Sequence, residues 1–164
     1  TLLHEGQYRK DGITPYITHP AEVMSFLKHI GISDEKILTA AWLHDVLEDC
    51  NVSREFIRKE FGDEVERIVS ALTCDTDKKT YLERIKSSDY SVQIIKLADV
   101  VHNCSNIHYP NSPKKTSERK FKECTEYYLE IAEKISPVFY LLITYYLKLY
   151  TLTNQAKLME KTEA

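Results

Sequence analysis

Ala40-Ala41-Trp42-Leu43-His44-Asp45-Val46-Leu47-Glu48-Asp49 reads as an interior helix that carries one histidine and three carboxylates. Ala41, Leu43, Val46 and Leu47 mark burial, whereas His44, Asp45, Glu48 and Asp49 want water or charge. An uncompensated buried carboxylate is expensive, so this stretch needs a cation or a water-filled cleft beside it. On a continuous helix His44 and Glu48 share one face, and Asp45 and Asp49 share another. The reading is therefore two tiers, one suited to hold a metal and the next to handle protons.

Working outward, Ile94-Ile95-Lys96-Leu97-Ala98-Asp99-Val100-Val101 lies in a second buried helix, expected over Ser91–Ile107. Asp99 repeats the difficulty of Asp45, with His102 close by and Asn103 one turn on. His19, just before Pro20 at a helix mouth, is the natural fourth donor. The set His19, His44, Asp45 and Asp99 mixes nitrogen and oxygen and has no thiolate. It suits Mn²⁺, Fe²⁺ or Co²⁺ at least as well as Zn²⁺. A water on such an ion is acidified and becomes a nucleophile near neutral pH. The residues alone leave a second reading open, a buried polar cluster satisfied by its own hydrogen bonds. His4, His29 and His108 read as structural.

The 164 residues suit one domain with a core, and the net charge of −3 speaks against a general nucleic-acid binder. Cys50, Cys74, Cys104 and Cys124 form no CxxC pair, so free thiols in a reducing cytoplasm are expected. The apolar run from Val138 to Leu152 contains Lys148 and is shorter than a bilayer span, which makes it a core helix and leaves no membrane partner. Only four glycines and five prolines disfavour a β architecture. Helices are expected over Leu2–Lys10, Ala21–His29, Asp34–Asp49, Ser53–Phe61, an Asp63-capped segment through Leu72, and Asp77–Ser87. After the Ser91–Ile107 helix and the breaking sequence Pro110-Asn111-Ser112-Pro113, helices resume over Thr116–Ile135 and from Pro137 onward. The expectation is an all-α helical bundle, one domain over residues 1–152, with a polar tail at 153–164 that frays.

Several stretches together resemble the hydrolase domain of the Rel/Spo family, a branch of the HD-domain metal-dependent phosphohydrolases. They are His4-Glu5-Gly6-Gln7-Tyr8-Arg9-Lys10-Asp11-Gly12, Pro15-Tyr16-Ile17-Thr18-His19-Pro20, Leu43-His44-Asp45-Val46-Leu47-Glu48-Asp49, Phe61-Gly62-Asp63-Glu64-Val65 and Lys96-Leu97-Ala98-Asp99-Val100-Val101-His102-Asn103. The PYxxHP, HDxxED and KLADxxHN elements, in this order, carry the likeness. The resemblance implies that His19, His44, Asp45 and Asp99 hold a metal, usually Mn²⁺. It implies that Glu48 and Asp49 orient or activate the attacking water, that Arg9 and Lys10 line a nucleotide pocket, and that Asn103 lies near the ribose and the metal. The implied reaction removes the 3′-pyrophosphate of guanosine tetra- or pentaphosphate, the alarmones ppGpp and pppGpp, to give GDP or GTP and pyrophosphate.

The sequence departs from that pattern at Val100 and Ser105, where the family usually carries cations, and at Asn106, often threonine. Two missing cations bear on how a polyphosphate is held, so a second phosphorylated nucleotide such as NADPH, or a non-catalytic nucleotide sensor, stands as an alternative. The intact Glu48-Asp49 pair argues against a sensor, which needs no water-activating group. A basic cluster, Lys114, Lys115, Arg119, Lys120 and Lys122, reads first as a solvated face and second as a replacement phosphate clamp.

Overall fold

The computed structural model describes residues 2–9, 11–105 and 114–162, and among these the chain is helical with no strand. Lys10, Asn106, His108 and the Pro110–Pro113 break lie outside the described residues. The chain divides into two compact units, residues 1–99 and 100–164.

In the first unit the expected helix over Leu2–Lys10 does not form. A short 3₁₀ turn, Leu2–His4, gives way at Gly6, whose φ of +76° is a left-handed conformation that a helix cannot continue through. Residues 7–9 instead pair back against residues 14–16. Arg9 N donates to Thr14 O (2.7 Å), Tyr16 N to Gln7 O (2.9 Å), and Asp11 Oδ1 accepts from Ile13 and Thr14 N (both 2.9 Å). Three charge-assisted bonds within the Asp11 turn, the Thr14 hydroxyl first, hold that carboxyl down to about 2.

Helix α1 (Thr18–His29) starts earlier than Pro20 suggested, so His19 sits inside its first turn. It ends where Gly31 takes φ +92° and Ile32 N reaches back to Leu27 O (3.0 Å). Helix α2 (Glu35–Leu43) is capped by Asp34, whose Oδ1 accepts from Lys36 N (2.8 Å) and Ile37 N (3.2 Å). The helix expected through Asp49 then breaks. His44 and Asp45 form a turn, and α3 (Val46–Asp49) begins afresh with Asp49 N on Asp45 O (2.9 Å).

Helix α4 (Arg54–Phe61) is capped by the Ser53 hydroxyl and stopped at Gly62. Asp63 does not cap α5 (Asp63–Leu72) as expected; it is the first helical residue and pairs with Arg58 Nε (3.2 Å). Asp77, expected inside its helix, caps α6 (Lys78–Ser87) instead. Helix α2 packs on α1 and α5, and α5 packs on α4 and α6. Val23, Leu27, Ala40, Ala41, Ile57, Val65, Val69 and Leu72 are buried, as the helical periodicity required. Helix α7 (Tyr90–Ser105) carries the unit boundary, and its Ile94, Ile95, Leu97 and Ala98 are fully buried.

In the second unit the single helix expected over Thr116–Ile135 is α8 (Lys114–Glu123), a π-helical turn at Cys124–Tyr128, and α9 (Leu129–Ile135). Ser136 and Pro137 open α10 (Pro137–Thr162) as expected, with Phe139 N on Ser136 Oγ (3.4 Å). Residues 153–162, expected as a fraying tail, continue that helix. No helix among the described residues is long and apolar enough to cross a membrane.

Candidate metal and proton-transfer site

Four side chains from α1, the α2–α3 turn and α7 meet inside the first unit. His19 Nε2 lies 3.2 Å from His44 Nε2, 3.4 Å from Asp45 Oδ2 and 3.2 Å from Asp99 Oδ1. His44 Nε2 lies 3.0 Å from Asp45 Oδ2 and 4.0 Å from Asp99 Oδ1. Donors about 2.1 Å from one octahedral ion stand about 3.0 Å apart on neighbouring vertices, so the separations among His19, His44 and Asp45 suit a shared divalent cation.

The break between α2 and α3 makes this convergence possible. Consecutive residues on a continuous helix point in divergent directions. With His44 just past the end of α2 and Asp45 just before α3, the two neighbours instead aim at one point.

The donor chemistry agrees. His44 Nδ1 lies 2.8 Å from the Ala41 carbonyl oxygen, which can only accept, so that nitrogen carries a proton. In the neutral ring Nε2 then presents a lone pair to His19 and to two carboxylates. Lone pairs facing one another in a buried site call for a positive species between them. Without a metal, a proton fills the role: burial works against the His44 imidazolium, but Asp45 and Asp99 outweigh it and push its pKa up to about 9. Burial likewise opposes ionisation of Asp45 and Asp99. His44 and His19 hold the first below the usual carboxylate range, and Lys96 and His19 hold the second.

Two residues that sequence reasoning did not single out fix the carboxylates. The Tyr16 hydroxyl donates to Asp45 Oδ2 (2.6 Å), and burial, then Asp45 and Asp49, raise its pKa. Lys96 Nζ holds Asp99 Oδ2 (2.7 Å), leaving Oδ1 for the histidines. Lys96 carried a signal, a cation inside an apolar helical run one turn before a carboxylate. Tyr16 carried none that spacing alone reveals, because its partner is remote in sequence.

Glu48 and Asp49 are exposed and lie on α3 rather than on one continuous helix with His44 and Asp45. Glu48 Oε1 accepts from Cys74 N (2.6 Å), and the Asp49 carbonyl accepts from Gln7 Nε2 (2.7 Å). The Arg9 guanidinium lies over the Tyr16 ring, 5.6 Å from its centroid, so it stands one aromatic ring away from Asp45. Asn103 belongs to the second unit, where its Oδ1 accepts from Lys120 Nζ (3.2 Å). His4 is buried against the Tyr16 ring (4.8 Å) and His29 Nδ1 returns to Ser25 O (2.7 Å), both structural as expected.

Paired histidines and aspartates gathered at a helix break, in an all-α frame, define a metal-binding class. The chain belongs to the HD domain family, whose family model matches residues 1–136. Within it, the chain falls in the branch of the guanosine-3′,5′-bis(diphosphate) 3′-pyrophosphohydrolase MESH1. It is 33% identical over 138 residues to that protein from Homo sapiens, covering 79% of this chain and 76% of the other. It is 39% identical over 145 residues to a guanosine-3′,5′-bis(diphosphate) 3′-pyrophosphohydrolase of Borreliella burgdorferi, covering 81% of this chain and 21% of that one. The chain thus spans about a fifth of that longer relative. The solved structure of a metazoan ortholog of SpoT, described as hydrolysing ppGpp, superposes with a TM-score of 0.81 at 26% identity, covering 91% of this chain and 89% of the other. The HD domain and its His19, His44 and Asp45 grouping point to a divalent metal ion.

Proposed function

We propose that this protein is a hydrolase that removes the 3′-pyrophosphate from guanosine tetra- and pentaphosphate in the cytoplasm, with Mn²⁺ as its ion. The observation that carries the reading is that His19 Nε2, His44 Nε2 and Asp45 Oδ2 lie 3.0 to 3.4 Å from one another, with Asp99 Oδ1 at 3.2 and 4.0 Å from the two imidazole nitrogens. The relatives named for this activity support it.

His19, His44, Asp45 and Asp99 would hold the ion, which when bound supplies Lewis acidity toward water and phosphoryl oxygen. Glu48 takes the proton of the attacking water as the water oxygen bonds to the phosphorus next to the ribose 3′-oxygen. The bond from that phosphorus to the 3′-oxygen breaks, and the proton passes to the leaving oxygen, giving GDP or GTP and pyrophosphate. Asp49, beside the Tyr16 hydroxyl, orients the water network. Arg9 and Lys10 offset phosphate charge.

The test is pyrophosphate release from guanosine tetraphosphate by the Mn²⁺-loaded chain. Release is expected, and Asp45→Ala or a chelator abolishes it; an intact nucleotide overturns the assignment. A second reading, the same chemistry on another phosphorylated nucleotide such as NADPH, is favoured by two positions. Val100 is buried, and the Ser105 hydroxyl turns back onto His102 O (2.7 Å), so neither offers charge to an anion. A substrate panel that scores phosphate against pyrophosphate separates the two.

A further inference from the structure

Among the described residues the Glu48 carboxylate is held by one backbone N–H, and that peptide is itself gripped from behind. Cys74 N–H, the donor to Glu48 Oε1 at 2.6 Å, shares its peptide plane with the Thr73 carbonyl. The Thr73 oxygen accepts from Arg84 Nη2 on α6. Arg84 Nη1 also holds Asp75 Oδ1 (2.9 Å), so the guanidinium brackets Cys74 from both sides. The other Asp75 oxygen accepts from Arg54 Nη2 (2.8 Å). The fork is seated on the Tyr81 ring, 5.5 Å from its centroid, and the Tyr81 hydroxyl donates to Leu72 O (2.9 Å) just before the same loop.

We propose that Arg84 is a positioning residue for Glu48, acting through the Thr73–Cys74 peptide. The peptide is planar and nearly rigid, with C=O and N–H pointing opposite ways. A cation on the oxygen therefore fixes the direction of the N–H. It also polarises the amide, which makes that N–H a stronger donor. Glu48 is exposed and would otherwise sample several rotamers; this contact selects one. Arg84 Nε is buried without a hydrogen-bond partner among the described residues, so the side chain accepts a poor environment for one donor while its other two nitrogens hold the loop.

This inference rests on the proton-transfer role proposed for Glu48, and the experiment keeps the two apart. The full chain is labelled with ¹⁵N-cysteine, giving signals from four cysteines, and Cys74→Ser assigns the one that matters. Arg84→Ala is expected to move the Cys74 amide proton upfield, as is Glu48→Gln. In Mn²⁺-loaded protein with guanosine tetraphosphate, Arg84→Ala is expected to lower kcat about tenfold, the effect of losing about one charge-assisted hydrogen bond, with KM and metal affinity unchanged. The Arg84→Ala/Glu48→Gln double variant should be no slower than Glu48→Gln alone, because both changes act on one group. Arg84→Lys keeps a cation but cannot bracket both partners, and recovers only part of the amide shift; it serves where the alanine variant fails to fold. An unmoved Cys74 amide in the Arg84 variants overturns the inference whatever the activity. Additive rate losses overturn it as well, since they assign Arg84 a merely structural role. A moved amide with Glu48→Gln as fast as the parent overturns the proton-transfer role instead, and removes the catalytic consequence drawn here.

Discussion

Replacing Tyr16 by phenylalanine removes one oxygen from the candidate metal site and little else. The ring keeps its contact with His4 at 4.8 Å, its edge toward His19 at 5.8 Å and its position beneath Arg9 at 5.6 Å. What disappears is the 2.6 Å hydrogen bond to Asp45 Oδ2, the oxygen that faces both histidines, together with the hydroxyl's interaction with Asp49. A hydrogen bond to a charged group contributes about 1.5–3 kcal/mol, and about 1.4 kcal/mol is a tenfold change in an equilibrium constant. Without the bond Asp45 regains rotamer freedom that a bound ion must remove again. Mn²⁺ affinity is therefore expected to fall about 10- to 100-fold, as it does when a ligand's supporting partner is lost elsewhere. Calorimetric titration of Mn²⁺ into parent and Tyr16→Phe protein reads this directly, with circular dichroism melting in chelator as the control for folding. Equal affinities in two folded proteins would refute the claim that Tyr16 orients a metal-binding carboxylate.

Two further outcomes follow from the charges around the site. In metal-free protein His44 titrates near 9 instead of its usual 6.5, so the folded state holds the extra proton between those values. The resulting stabilisation, about 3 kcal/mol at most, is fully present below about pH 6.5 and is lost as pH rises through about 9. Denaturant melts in chelator should show that decline, while Mn²⁺ affinity climbs over the same interval as the ion displaces the proton; stability flat across it would contradict the geometry. Lys96→Met leaves Asp99 buried without its 2.7 Å cation, which should cost about 3–5 kcal/mol in metal-free protein. The loss should be smaller with Mn²⁺ bound, since the ion then supplies the missing charge. Equal losses with and without metal would show that Lys96 does not balance Asp99.

Much of the helical frame could be read locally. Ser53 caps the helix it precedes, Gly31 and Gly62 end theirs, and Ser136-Pro137 opens the last. These signals work because a cap acts on amides two or three residues away. The failures were also local. Leu2–Lys10 has helical composition, but the Asp11 turn and the pairing of Gln7 and Arg9 with Tyr16 and Thr14 claim its backbone groups. The π turn at Cys124–Tyr128 has no sequence signature in an otherwise regular pattern.

By itself the sequence determined which side chains were too polar for their apolar surroundings: His44, Asp45 and Asp99 each stood out because burial makes charge expensive. It could not determine that α2 stops at Leu43, because a helix break is decided by what the two halves pack against. Nor could it pair Tyr16 with Asp45, or Glu48 with the amide of Cys74, since periodicity reaches only one turn along the chain. Those contacts arise when separate helices settle against one another, and they gather a set of costly residues into one cluster of facing nitrogen and oxygen donors.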